Sequence, residues 1–94
     1  MKNPQLRVLE ILYRFKTPLK LIEITNSLPW DQEKSPAYRG AYTKEALKKL
    51  EKKGLVQSHG FRRKRTWTLT PLGVNYFRLN RLLEIIEETF KDED

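Results

Sequence analysis

Residues 42–73 read YTKEALKKLEKKGLVQSHGFRRKRTWTLTPLG, and this stretch decides the fold. Thr43, Ala46, Leu47 and Leu50 fall at i, i+3, i+4 and i+7, the spacing of one helical face. The other face carries Lys44, Lys48, Lys49, Lys52 and Lys53. The pattern predicts a helix over roughly Ala41–Lys53. It stops at Gly54, where a left-handed cap is expected, with Leu55 closing the cap by an apolar contact. Two β-rich runs follow, Leu55–His59 and Thr66–Thr70. Between them Gly60 helps the turn and Phe61-Arg62-Arg63-Lys64-Arg65 forms a basic tip. Thr70 then caps another helix with Pro71 at its first position. The order is helix, hairpin with a cationic tip, helix.

Downstream, Leu72, Tyr76, Leu79, Leu83, Ile86 and Phe90 recur at spacings of 4, 3, 4, 3, 4, a heptad seam that Leu82 and Ile85 broaden. A helix from Pro71 to Lys91 is about 30 Å long at 1.5 Å per residue, more than a body of this size covers. Leu72 and Tyr76 are expected to pack on the first helix. The distal part, Leu79 to Phe90, would leave an apolar stripe in water unless it meets a partner. The simplest partner is the same helix of a second copy, antiparallel or crossing about a two-fold axis. Leu79, Leu82, Leu83, Ile86 and Phe90 are the candidate dimer contacts, and the tail Lys91–Asp94 is expected to fray.

Upstream, Asn3 is a candidate N-cap with Pro4 at the first helical position. Leu6, Leu9, Ile11, Leu12 and Phe15 then mark a helix over about residues 4–16. Thr17-Pro18 breaks it. Leu19–Leu28 suits a second helix, with Leu19-Lys20-Leu21 as a short strand against the hairpin as the alternative. Pro29–Tyr38, PWDQEKSPAY, has loop composition, although Ser35-Pro36 is a good cap pair and part of it can be a helical turn. Trp30 is expected to plug the space under this loop, and Trp67 and Phe61 to pack rather than stack. Tyr13 belongs near the core or the dimer contact.

The chain of 94 residues suits one domain. The net charge of +7 is unevenly placed, since residues 1–70 carry 16 Lys/Arg against 6 Asp/Glu and residues 71–94 carry 3 against 6. A basic body with an acidic tail implies a polyanionic partner for the body; the bland alternative is that the charges only solvate helix faces. With no cysteine, neither a disulfide nor a thiolate metal site can form, which fits a cytoplasmic setting. No run is long and apolar enough to predict a membrane span or a signal peptide.

These elements give a mainly α chain with a small β-hairpin wing: a winged helix-turn-helix over residues 1–70, with residues 71–94 as a long C-terminal dimerisation helix continuous with it. Leu47–Val56 (LKKLEKKGLV) and Arg62–Gly73 (RRKRTWTLTPLG) resemble the recognition-helix end, wing and following helix of winged-helix regulators. PadR-like and MarR-like proteins are the nearest groups, and the archaeal dimeric Sso10a-type proteins are similar in size. The resemblance covers about residues 41–85, and the long loop Pro29–Tyr38 departs from it. It implies sequence-specific or semi-specific binding of double-stranded DNA by a homodimeric transcription regulator. The N-terminal half of the third helix would enter the major groove, and the wing would lie on the backbone or in the adjacent minor groove.

On that helix Arg39 is a candidate for bidentate contact with guanine, Tyr42 for a phosphate or a thymine methyl, and Lys44 and Lys48 for phosphates. In the wing Arg62, Arg63, Lys64 and Arg65 would neutralise phosphates, two or three of them at once if they alternate along a strand. Two other readings of the same surface are a non-specific architectural DNA-binding protein and a winged-helix module for protein docking. Catalysis finds little support. His59 is the only histidine, there is no cysteine nucleophile or Gly-rich phosphate loop, and no cofactor or metal is expected. Nothing in the sequence identifies a small-molecule effector.

Overall fold

The computed structural model describes residues 4–30 and 33–91. The Asn3 cap, the loop residue Asp31 and the tail beyond Lys91 lie outside the described residues. In chain order come α1 (Pro4–Phe15), β1 (Leu19–Lys20), α2 (Leu21–Ser27), α3 (Pro36–Lys52), β2 (Val56–His59), β3 (Thr66–Leu69) and α4 (Pro71–Lys91), with a short 3-10 turn at Arg62–Lys64 between β2 and β3. The three strands form an antiparallel sheet in the order β1-β3-β2. The chain is therefore mainly helical with a small winged sheet.

Local chemistry explains most boundaries. α1 buries Val8, Leu9, Ile11 and Leu12 on one face. β1 exists because Leu19 pairs with Trp67 and Lys20 with Thr66. The helix expected from Leu19 therefore starts two residues later, at Leu21, where the Glu23 carboxylate accepts from the Lys20 N–H at 2.8 Å. α3 starts at Pro36, five residues before the expected Ala41, because the Ser35 hydroxyl accepts from the Tyr38 N–H and Pro36 needs no partner there. It ends in a Schellman cap: the Leu55 N–H donates to Leu50 O, the Gly54 N–H donates to Glu51 O, and Gly54 has φ +78°.

The core lies between α1, α2, α3 and the sheet. Val8, Leu9, Ile24, Leu47, Leu50 and Val56 are its fully enclosed apolar side chains. Thr43 is enclosed with them, and its hydroxyl is satisfied by donating to Arg39 O at 2.9 Å. Trp67 packs from β3, as expected.

α4 is fixed at its start. The Thr70 hydroxyl donates to Gly54 O at 2.6 Å and accepts from the Gly73 N–H at 3.0 Å, tying the new helix to the end of α3. Gly73 seats against the Leu55 backbone so closely that a Cβ there would collide with the Leu55 carbonyl. This contact sets the rotation of α4. Gly73 and Phe77 face the body, with the Phe77 ring 4.9 Å from that of Tyr13. Leu72 and Tyr76, expected against α1, are instead 57% and 40% exposed.

Candidate nucleic-acid interface

The exposed side of α3 follows from its buried one. With Thr43, Ala46, Leu47 and Leu50 facing the core, Lys44, Lys48 and Lys52 recur every fourth residue on an exposed stripe. Ala37, Gly40 and Ala41 occupy the preceding turns, so no long side chain shields the helix there. The Ser58 hydroxyl donates to the Glu51 carboxylate at 2.9 Å and holds β2 beside the C-terminal half of α3. The wing therefore rises next to this helix.

Arg39 and Tyr42 were expected on the open face, and the structure corrects both. Because α3 begins at Pro36, Arg39 falls in its first turn, half-buried, with its guanidinium 5.9 Å from the Trp30 ring. Tyr42 is half-buried on the same indole, 5.1 Å between ring centroids, and 6.1 Å from Tyr38. Trp30 is the expected plug, and its indole N–H donates to Thr25 O at 2.6 Å. Tyr38, unremarked in the sequence, is the exposed member of this aromatic group, and the Lys34 ammonium lies 4.7 Å from its ring. Its spacing of four from Tyr42 was the available signal once α3 is known to include it.

The wing tip is a formed turn and not a strand end. Gly60 has φ +89° and Arg62 has φ +55°. The Lys64 N–H donates to Phe61 O and the Arg65 N–H to Arg62 O, both at 3.1 Å. Strand alternation therefore does not sort Arg62, Arg63 and Lys64, which fan out around a 3-10 turn. All three, with Arg65, are exposed. Phe61, expected to pack, is instead 72% exposed, because no part of the core reaches the tip. Among the described residues, no wing cation and none of Lys44, Lys48 and Lys52 is in an ion pair. Their charge is left for solvent or a ligand.

The five candidate dimer residues, Leu79, Leu82, Leu83, Ile86 and Phe90, are all exposed, as is Ile85. With Leu72 and Tyr76 the five candidates make one apolar face along α4, while Ile85 lies on the side toward α1. Where the helix leaves the body, an open crevice of about 1170 Å³ separates it from α1, lined by Leu6, Glu10, Phe77, Arg81 and Ile85 among others. Tyr13 marks the last clasp before this crevice. The Arg78 guanidinium donates to its hydroxyl at 3.2 Å and holds its pKa below the ordinary tyrosine value, first by that hydrogen bond and then by its charge. Among the described residues no group of three or more His, Asp or Glu side chains could hold a metal ion, and no helix is long and apolar enough to cross a membrane.

No protein-family model matches the chain, and no curated protein matches it. Solved structures do. The chain is similar to AF1382 from Archaeoglobus fulgidus at TM-score 0.70 and 18% identity, covering 93% of this chain and 91% of that one. It is similar to a PadR family transcription regulator from Clostridium difficile at TM-score 0.65 and 20% identity, covering 92% of this chain and 95% of that one. A point mutant of S. aureus MepR bound to an oligodeoxyribonucleotide matches at TM-score 0.72 and 20% identity over 100% of this chain and 66% of its own. The chain thus spans about two-thirds of the MepR chain. At these identities the likeness establishes the fold, the winged helix of MarR, MepR and PadR regulators.

Proposed function

We propose that the chain binds double-stranded DNA as a homodimeric transcription regulator, α3 in the major groove and the wing on the backbone or in the adjacent minor groove. The observation that carries this reading is the set of exposed, unpaired cations on two adjacent elements, Lys44 and Lys48 on α3 and Arg62–Arg65 on the wing. Unneutralised Lys and Arg release counterions from a phosphate backbone on binding, which is a favourable, salt-dependent term. The small residues at the start of α3 let its backbone come close to a groove floor. Arg39 and Tyr42, held by Trp30, have a positioning role: they fix the angle at which α3 leaves the loop. The role is one of binding rather than catalysis, in a cytoplasmic setting and without a cofactor.

Residues 1–70 serve as the DNA-binding unit and residues 71–94 as the dimerisation helix. The MepR match, a regulator seen with an oligodeoxyribonucleotide, supports the class of ligand. The apolar face of α4 supports the dimer, since a stripe of Leu, Ile and Phe at heptad spacing is stable in water only when covered. A two-fold dimer places its recognition helices on half-sites about 34 Å apart, or a multiple of that.

The test is binding to mixed-sequence duplex DNA across a salt series, together with selection from a random duplex pool. An enriched palindrome establishes a regulator and gives the half-site spacing. Salt-sensitive binding without an enriched sequence turns the reading to an architectural protein. Absence of binding at low salt removes DNA and leaves a protein-docking module. Within the first outcome, Arg62→Ala with Arg63→Ala should weaken binding to all sequences alike and reduce the slope of log K against log salt by about one for each phosphate no longer touched. An unchanged slope takes the wing off the DNA.

A further inference from the structure

Among the described residues Phe61 is the most exposed of the large apolar side chains, 72% open to solvent. Its position sets it apart from the others. The apolar residues of α4 form a continuous face, whereas Phe61 stands alone at the far end of the wing with Arg62, Arg63, Lys64 and Arg65 next to it. Gly60 at φ +89° and Arg62 at φ +55° turn the chain sharply on either side of Phe61. The Phe61 carbonyl is held by the Lys64 N–H. A Cβ on Gly60 would stand 2.7 Å from Lys64 O, so the turn closes tightly behind the phenylalanine. The Arg62 guanidinium lies over the ring, 5.7 Å from its centroid, and is bonded to no carboxylate among the described residues. The result is a turn that carries one exposed apolar ring, with Arg62 over it and three more exposed cations following in sequence.

We infer that Phe61 is a wedge that enters the minor groove of duplex DNA and partly unstacks one base step, bending the duplex, while the surrounding cations grip the flanking phosphates. The inference rests on the DNA-binding reading and adds to it a deformation step, carried by a residue whose type alone suggests packing. Charge complementarity selects the ligand: an apolar ring alone fits many surfaces, but a ring on a turn with four exposed, unpaired cations fits a polyanion with an apolar interior. Duplex DNA has that arrangement, phosphates outside and stacked bases within. Apolar side chains inserted between base steps kink DNA toward the major groove, and pyrimidine–purine steps such as T–A yield most readily. A minor groove narrowed by a stiff A-tract attracts arginine, so the favoured site would set a flexible T–A step under Phe61 beside an A-tract under the cations.

The experiment uses the full chain and a duplex of about 30 base pairs, taken from the pool selection or, where none is enriched, carrying T–A steps under the wing. 2-Aminopurine beside those steps reports unstacking, and a dye pair on the ends reports bending. The wild-type chain should raise 2-aminopurine emission and bring the ends closer. Phe61→Ala should bind about tenfold more weakly with the same salt slope, and lose both signals; Phe61→Leu should keep most of each. Since Phe61 touches no core residue, both variants should unfold like the parent. Duplex binding without unstacking or bending overturns the wedge and leaves the DNA reading standing, as does a Phe61→Ala variant that still bends. Failure of the wild-type chain to bind any duplex at low salt overturns both. Capture by anionic vesicles in place of duplex, abolished in Phe61→Ala, assigns the tip to a lipid surface instead.

Discussion

The body and the distal half of α4 use the same residue types to opposite ends. Leu47 and Leu50 in the body are wholly enclosed, while Leu79 and Leu83 in α4 are 55% and 47% exposed. Both sets sit at helical spacing, and both would be scored as core by periodicity alone. The difference lies in reach. α3 lies between α1, α2 and the sheet, whereas α4 runs 21 residues from Pro71 and after Phe77 is separated from α1 by the open crevice. Periodicity reports that a face must be covered; it does not report whether the cover belongs to the same chain.

The largest effect expected is on assembly. The intact chain should sediment as a dimer at micromolar concentration, and Leu79→Lys with Leu83→Lys should sediment as a monomer whose body still unfolds cooperatively. A charged side chain on each facing helix would be buried without a partner, which such an interface does not tolerate. If the parent already runs as a monomer, α4 has some other occupant and the contrast with the body has a different cause.

Much of the fold was legible because its punctuation is local. Gly54 after a lysine-rich helix, Gly60 between two β-rich runs and Thr70-Pro71 each fix a boundary through one residue's own chemistry, and all three boundaries stand where the sequence puts them. The early start of α3 was less legible, since Pro36 and Gly40 look like loop residues until the Ser35 cap is seen to outweigh them. β1 was legible only as an alternative, because a strand of two residues is defined by its partner Trp67 and not by its own composition. The rotation of α4 was not legible at all. Leu72 and Tyr76 lie on its heptad seam, but the backbone contact between Gly73 and Leu55, residues far apart in sequence, turns them away from α1. In the candidate interface Lys44, Lys48 and the wing cations are exposed as expected. Arg39, Tyr42 and Phe61 are not where side-chain type alone would put them, because burial depends on whether Trp30 or the core lies within reach.

Two glycines sharpen the same comparison at smaller scale. Gly73 seats α4 on the body, and Gly73→Ala should destabilise by about 1–3 kcal/mol, as for other overpacked sites, because the new methyl meets rigid backbone. Gly40 lies within α3, and a Cβ there would meet nothing within 4 Å. Gly40→Ala should therefore stabilise by about 0.5–1 kcal/mol, the helix-propensity difference. Denaturant unfolding of the two variants should move in opposite directions. A loss at Gly40 would mean that the start of α3 is more closely packed than its surroundings indicate; no loss at Gly73 would mean that α4 is not seated on Leu55, and the body would then end at the sheet.

The smallest effect locates the end of the covered part of α4. The Arg78 guanidinium favours the Tyr13 phenolate, so the folded chain should ionise one tyrosine below the ordinary value of about 10. Between the lowered and the ordinary pKa the unfolded chain binds more protons than the folded one, so stability should rise slightly with pH through that window. The contribution is fully present above the unfolded value and is lost as pH falls through the folded one. Phenolate absorbance against pH should show this early step in the parent, and Arg78→Gln should return it to the ordinary range. If the two titrations coincide, the clasp between Tyr13 and Arg78 does not hold in solution. The covered part of α4 would then end at Phe77, and more of the helix would depend on its partner.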